Sequence, residues 1–151
     1  MSAALKVNLG YRDALSAIQF LTEVLGFEEM ARYTAGAANI IAHAEYAWPE
    51  GGIVSLHSAE PGRHSVRDLS ERAAQDPGYP AYSVHLDTVN PEQVYERVLK
   101  AGATVIRELK KSPMGRGFVV ADPEGLYWSV GTPILKLVRN EQGKWEPKGN
   151  E

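Results

Sequence analysis

The sequence predicts an α+β fold made of two βαβββ modules, because two stretches of the chain read as copies of one unit. In both stretches a strand with alternating apolar residues leads into a helix, and the two starts lie about 75 residues apart. The copies also end on similar strands, at 51–57 and 125–131. A fixed offset between matching segments indicates an internal duplication. We therefore place the modules at 1–57 and 80–133, with a linker at 58–79 and a C-terminal tail at 134–151.

The first module follows the order of a βαβββ unit. Residues 5–10 alternate between apolar and polar or small side chains, a pattern typical of a strand with one buried face. Asp13 is suited to cap a helix whose apolar residues recur at helical spacing as far as Leu25, and Gly26 would end that helix. Three further strands are predicted at 27–33, 38–48 and 53–58.

The second module repeats this order. Residues 82–86 alternate again, and Asn90 followed by Pro91 suits the cap and the first position of a second helix. Gly102 would end that helix, since glycine is the usual residue just after a helix. Strands are then predicted at 104–109, 117–121 and 126–130.

The linker and the tail each allow two interpretations. The polar linker contains a predicted short helix at 66–75, and it either covers the mouth of a pocket or acts as a flexible connector. In the tail, the turn-like segment 140–143 and Trp145 favour a small hairpin or a dimer arm, and an exposed, disordered tail is the alternative.

Composition excludes several classes of function. The net charge is −3 with no run of Lys or Arg, so neither nucleic acid nor an acidic membrane is an expected partner. The chain has no cysteine, which excludes disulfides, thiolate metal sites and cysteine nucleophiles. No signal peptide or apolar run of membrane-spanning length is visible. A soluble, cytoplasmic protein is expected.

Several motifs resemble the vicinal oxygen chelate superfamily, which includes glyoxalase I, extradiol dioxygenases and bleomycin-resistance proteins. The most specific is Ala121-Asp-Pro-Glu-Gly-Leu-Tyr-Trp-Ser-Val-Gly-Thr132, in which Asp122 is interpreted as shaping the turn. The others are Tyr11-Arg-Asp-Ala14, the LTEVLGF stretch at 21–27 and His43-Ala-Glu45. The resemblance covers residues 4–133 and is closest to the PhnB-like subgroup. It implies that the modules pair into an incomplete β-barrel around a concave pocket, within one chain or across a homodimer.

The resemblance also identifies four positions at which the superfamily's metal enzymes hold their ion. These positions are Lys6, Ser55, Ala81 and Ser129. A divalent ion needs neutral imidazole or carboxylate ligands, and this set supplies none. Neither a metal nor another cofactor is therefore predicted, although an alignment shift of two residues would bring His85 or His57 inward.

Strand alternation predicts which side chains line the pocket. His85 and His57 are the candidates for a general base, because histidine titrates near neutral pH, and the alternative is that each is a hydrogen-bonded lining residue. Arg116 is a candidate to clamp an anionic group, and Tyr127 or Trp48 to stack on a planar ligand, whereas parity places Trp128 in the core. The predicted ligand-binding residues are Asn8, Trp48, Ser55, His57, Ser83, His85, Arg116, Tyr127 and Ser129.

Three functional hypotheses follow. The first is a metal-free protein that binds a small molecule, such as an aromatic antibiotic or metabolite, as a homodimer. The second is a metal-independent enzyme in which a pocket histidine moves a proton next to a carbonyl. The third, a metal-dependent lyase or dioxygenase, is disfavoured by the residues at the four metal positions.

Overall fold

The computed structural model describes residues 5–76, 82–113, 115–133 and 137–147, and its main feature is a pair of four-stranded sheets. The strand order is β1-β4-β3-β2 in the first sheet and β5-β8-β7-β6 in the second. In each sheet the first and last strands of the module pair in parallel, and the other pairs are antiparallel. These strands are β1 (Lys6–Tyr11), β2 (Glu28–Ala35), β3 (Ala37–Ala47), β4 (Ile53–Ser58), β5 (Ser83–Asp87), β6 (Thr104–Ser112), β7 (Gly115–Ala121) and β8 (Tyr127–Gly131). The identical order confirms the predicted α+β fold.

Each sheet is covered on one side by the helix of its module. Helix α1 (Ala14–Gln19) begins where the Asp13 carboxylate accepts from the backbone N–H of Ser16 at 3.1 Å. It continues without a break as a π-helical segment, Phe20–Leu25, which the apolar spacing did not predict. Helix α3 (Pro91–Lys100) begins at the predicted cap, where the Asn90 side chain accepts from the N–H of Gln93 at 3.2 Å.

The linker helix lies at the junction of the modules. Helix α2 (Val66–Gln75) is capped by Ser65 and Asp68, each of which bonds the other's backbone N–H. Asp68 also pairs with Arg12 at the end of β1, and Ser70 packs against Gly125. The helix is therefore held against the end of β1 and the 122–126 turn.

One core joins the two modules. Phe27 lies between Trp48 and Trp128, at ring-centroid distances of 5.1 and 5.9 Å. Trp128 is fully buried, as parity predicts, and the buried apolar side chains of both sheets belong to the same cluster. Leu5 and Val7, which the alternation predicts to be buried, are exposed and lie outside it. The opposite face of each sheet, here called the open face, points away from this core and exposes large side chains such as Tyr33 and Tyr127.

The tail contains a hairpin of β9 (Leu137–Arg139) and β10 (Trp145–Pro147), in line with the predicted turn. The Asn140 side chain accepts from the N–H groups of Gln142 and Lys144, which fixes the turn. Arg139 lies over the Trp145 ring at 4.9 Å. Within the described segments, no helix is both long and apolar enough to span a membrane.

Candidate ligand-binding groove

Two rows of residues run across the open face of the second sheet. Strand register aligns the first row as His85, Ser129, Val119 and Arg107, from β5 to β6. It aligns the second row as Asp87, Gly131, Gly117 and Lys110. Polar or charged side chains therefore stand at both ends of each row, and the second row has no side chain in its middle.

A β-bulge brings two of the three cations of β6, Arg107 and Lys110, to the same face. Arg107 pairs with Val119 and Lys110 pairs with Gly117, so three steps along β6 match two steps along β7. In a regular strand, residues three apart point to opposite faces. The extra residue reverses this alternation, and both cationic side chains line one groove.

The glycine pair forms the floor of this groove. A Cβ on Gly131 would lie 2.8 Å from the carbonyl oxygen of Arg116, and one on Gly117 would lie 2.9 Å from that of Val130. Neither position can accept a side chain without moving backbone, so the floor stays open. The groove has a volume of about 340 Å³ and is lined by His85, Arg107, Lys110, Ser112, Gly115, Arg116, Gly117, Phe118, Ser129, Val130, Gly131 and Thr132.

His85 is held at both ring nitrogens. Its Nδ1 lies 2.9 Å from Ser129 Oγ, and its Nε2 lies 3.1 Å from Asp87 Oδ1. This chain of hydroxyl, imidazole and carboxylate is able to hold or move a proton. Asp87 was not among the predicted site residues, although its place two residues after His85 on one strand was a usable signal.

Arg116 lies at the groove but is already paired. Its Nε donates to Glu92 Oε1 at 2.5 Å, which raises the pKa of Arg116 and lowers that of Glu92. The predicted role as an anion clamp is not supported by this geometry, because the guanidinium charge is compensated by the first turn of α3.

Of the two aromatic candidates for stacking on a ligand, Trp48 is buried and Tyr127 is exposed. Trp48 is 8% exposed, packs on Phe27 and donates from Nε1 to the carbonyl oxygen of Asp87 at 2.8 Å. It therefore joins the two modules in the core and presents no stacking surface for a ligand. Tyr127 is 45% exposed on the open face, beside Ser83 in the neighbouring strand.

The open face of the first sheet is filled by its own side chains. Lys6 Nζ donates to Glu45 Oε1 at 2.8 Å, and this bond is the main reason that the pKa of Glu45 is lowered. His43 Nε2 lies 3.2 Å from the same oxygen. The His57 ring covers Gly10, where a Cβ would lie 3.0 Å from Nε2.

The side chains present do not fit a divalent ion. Lys6 is a cation paired with Glu45, and Ser55 donates its hydroxyl to Asn8 Oδ1 at 3.0 Å. Ser129 contacts His85, and the fourth position, Ala81, lies outside the described residues. In the part of the chain that the structure describes, no three His, Asp or Glu side chains are placed to hold a metal together.

A second cleft, of about 530 Å³, lies between the linker and β1. Its charged residues are paired with one another, Arg12 with Asp68 and Arg63 with Glu60. The linker therefore borders this cleft, whereas none of its described residues, 58–76, lines the groove of the second sheet.

The chain is similar in sequence and fold to known proteins. The profile of the Glyoxalase/Bleomycin resistance protein/Dioxygenase superfamily matches residues 5–130. An uncharacterized protein of Mycobacterium bovis is 30% identical over 139 residues, which are 91% of this chain and 88% of that protein. The crystal structure of TioX from Micromonospora sp. ML1 is similar with a TM-score of 0.65 and 26% identity, covering 87% of this chain and 98% of that one. TnmS3, an antibiotic binding protein from Streptomyces sp. CB03234, has a TM-score of 0.57 and 20% identity, covering 88% and 97%.

Proposed function

The chain belongs to the Glyoxalase/Bleomycin resistance protein/Dioxygenase superfamily, and on this basis we propose that it binds a small molecule in the groove of its second sheet. The observation that supports this most directly is an open glycine floor surrounded by hydrogen-bonding side chains. Pockets of this kind are the usual sites for small ligands. The proposed ligand contacts within the groove are His85 and Ser129, and Ser83 and Tyr127 extend the contact surface in the next row of the open face.

We further propose that binding needs no metal ion. A cation at the superfamily's position would meet the ammonium group of Lys6 and the weakly ligating hydroxyls of Ser55 and Ser129. TnmS3 shows that this fold occurs in an antibiotic binding protein, which makes sequestration of an antibiotic or an aromatic metabolite a reasonable form of the proposal. Assignment to the PhnB-like subgroup and a cytoplasmic location stay predictions.

A homodimer is proposed as the working form. The open face of the second sheet exposes large side chains in one chain, so a second copy would have to enclose the groove and cover residues such as Tyr127. The open face of a first sheet, with Asn8 and His57, is the proposed opposite wall, and Ser55, 4% exposed, holds Asn8 from within the sheet by its hydrogen bond. Light scattering is expected to give twice the chain mass of 16.6 kDa, and a monomer at micromolar concentration would contradict the proposal.

A thermal-shift screen against antibiotics, aromatic metabolites and divalent ions tests the binding function. We expect one or more organic compounds to raise the melting temperature, because a ligand of the folded state stabilises it. His85→Ala should reduce that shift, whereas His64→Ala, in the 59–65 loop outside the groove, should keep it. Recovery of the compound unchanged would support sequestration. Stoichiometric zinc, nickel, manganese or iron in the purified protein would contradict the metal-free part of the proposal.

The hydrogen-bonded side chains of Ser129, His85 and Asp87 favour one alternative function. In this alternative the protein is an enzyme in which His85 moves a proton next to a carbonyl. In that case product would form on incubation, and Asp87→Asn would lower the rate, because the carboxylate bonded to Nε2 orients the imidazole. A compound that binds tightly and is recovered unchanged at every pH argues against this alternative.

A further inference from the structure

In the described part of the chain, cations and no acidic side chain line the groove of the second sheet. Its ionisable lining residues are His85, Arg107, Lys110 and Arg116, and the only carboxylates bonded to them are Asp87 and Glu92, among the residues that the structure describes. Both carboxylates lie outside the lining. The protein as a whole has a net charge of −3, so this groove has the opposite sign from the molecule.

Arg107 and Lys110 are the cations that remain available. Arg116 is compensated by Glu92, and His85 is bonded to Asp87. For Arg107 and Lys110, no acidic partner within ion-pair distance occurs in the described segments. Both side chains are exposed on the same face through the bulge in β6. Two neighbouring cations without an anion repel each other. The bulge that aligns them also interrupts the regular hydrogen-bond pairing of β6 with β7.

The groove also supplies uncharged donors and room. Ser129 stands in the row of Arg107, and its hydroxyl is able to donate to a ligand when Nδ1 of His85 donates to Ser129. The Gly117–Gly131 pair stands next to Lys110 in the second row, so a ligand group can reach the sheet backbone beside that ammonium.

We propose that Arg107 and Lys110 bind an oxyanion group of the ligand, a carboxylate or a phosphate, above the glycine floor. This inference rests on the proposed small-molecule function and specifies the class of ligand. Guanidinium and ammonium groups form their strongest hydrogen bonds with such anions, and Arg107 is able to make two at once. The ligand is then a small organic acid or a phosphate ester, with its remaining part directed towards Tyr127 at the edge strand pair.

Titration with benzoate, phenyl phosphate and neutral benzamide tests this proposal. Backbone amide NMR shifts of Gly117 and Gly131 report binding at the floor. We expect benzoate or phenyl phosphate to bind at least about tenfold more tightly than benzamide, with weaker binding at higher salt. The comparison of the two anions separates a carboxylate site from a phosphate site.

Matched variants show whether the two cations are responsible. The double variant Arg107→Met, Lys110→Met should lose the anion preference. Lys111→Met should keep it, because Lys111 neighbours Lys110 in sequence but does not line the groove. All three substituted positions are exposed, so unchanged melting temperatures are expected for both variants without ligand. If all three compounds bind equally at the floor, this inference is wrong and the proposed function stands. Shifts absent for every compound in this test and in the wider screen would count against both.

Discussion

Asp122→Ala is expected to lower the free energy of unfolding by about 3–5 kcal/mol, one of the two largest effects expected here. The carboxylate is 5% exposed and accepts from Tyr11 Oη at 2.6 Å and from Trp128 Nε1 at 3.2 Å. It also accepts from the N–H groups of Glu124 and Leu126 at 2.9 and 3.0 Å. Alanine leaves the fully buried hydroxyl and indole donors without a partner. Urea unfolding of both proteins measures the loss.

Two further variants check the explanation. Tyr11→Phe removes one donor and leaves the other bonds, so a loss of about 1 kcal/mol is expected. Glu141→Ala, in the exposed turn of the tail hairpin, should stay within about 0.5 kcal/mol of the wild type. A loss for Asp122→Ala no larger than that of Tyr11→Phe would contradict the central role of this carboxylate.

The contribution of Asp122 to stability is expected to depend on pH. Burial raises the pKa of Asp122 above its ordinary value of 3.8, although bonds from Tyr11 and Trp128 lower it in part. Just above pH 3.8 the folded protein therefore holds a proton that the unfolded chain has released, so this group makes stability fall as the pH rises through that range. The stability difference between wild type and Asp122→Ala should accordingly be larger near pH 4 than at pH 7. An equal difference at both pH values would contradict the raised pKa.

Local patterns explain why the fold could be predicted. The helix caps Asp13 and Asn90 depend on neighbours three residues away. The alternation in 82–86 matches the burial of Leu86, whereas in 5–10 it holds less well, because Leu5 and Val7 are exposed. Asp122 was interpreted as a turn residue, and its bonds to the N–H groups of Glu124 and Leu126 confirm that part. Its contact with Tyr11 crosses 111 positions, and no spacing rule predicts such a pair.

Three features of the site could not be predicted from the sequence, because each depends on a contact between separate elements. The bulge between Arg107 and Lys110 depends on how β6 pairs with β7, and strict alternation would place these cations on opposite faces. The compensation of Arg116 by Glu92 joins a strand to a helix from a distant part of the module. Trp48 was assigned to the pocket because aromatic residues stack on planar ligands, but its burial depends on Phe27 in another element.

The first helix is capped at both ends by side chains of the second module. At its start, Glu124 accepts from the N–H groups of Arg12 and Asp13 at 2.9 and 2.7 Å. At its end, Arg97 donates from Nε to the carbonyl oxygen of Val24 at 3.0 Å and from Nη2 to that of Leu25 at 2.9 Å. An anion at the start and a cation at the end both match the helix dipole. These bonds join the first helix to the second module, so the position of one sheet constrains that of the other.

Arg97→Met is expected to lower the free energy of unfolding by about 2–3 kcal/mol, because two charge-assisted bonds to helix-end carbonyls disappear. Arg97→Lys should recover only part of the loss, since a single ammonium group cannot reproduce the planar fork that reaches both oxygens. Lys100→Met also removes a cation from the last turn of α3, but its exposed position predicts a change within about 0.5 kcal/mol. Urea unfolding compares the three variants. Equal losses for Arg97→Met and Lys100→Met would show that the charge at the end of α3 matters, and the bonds across the module junction do not.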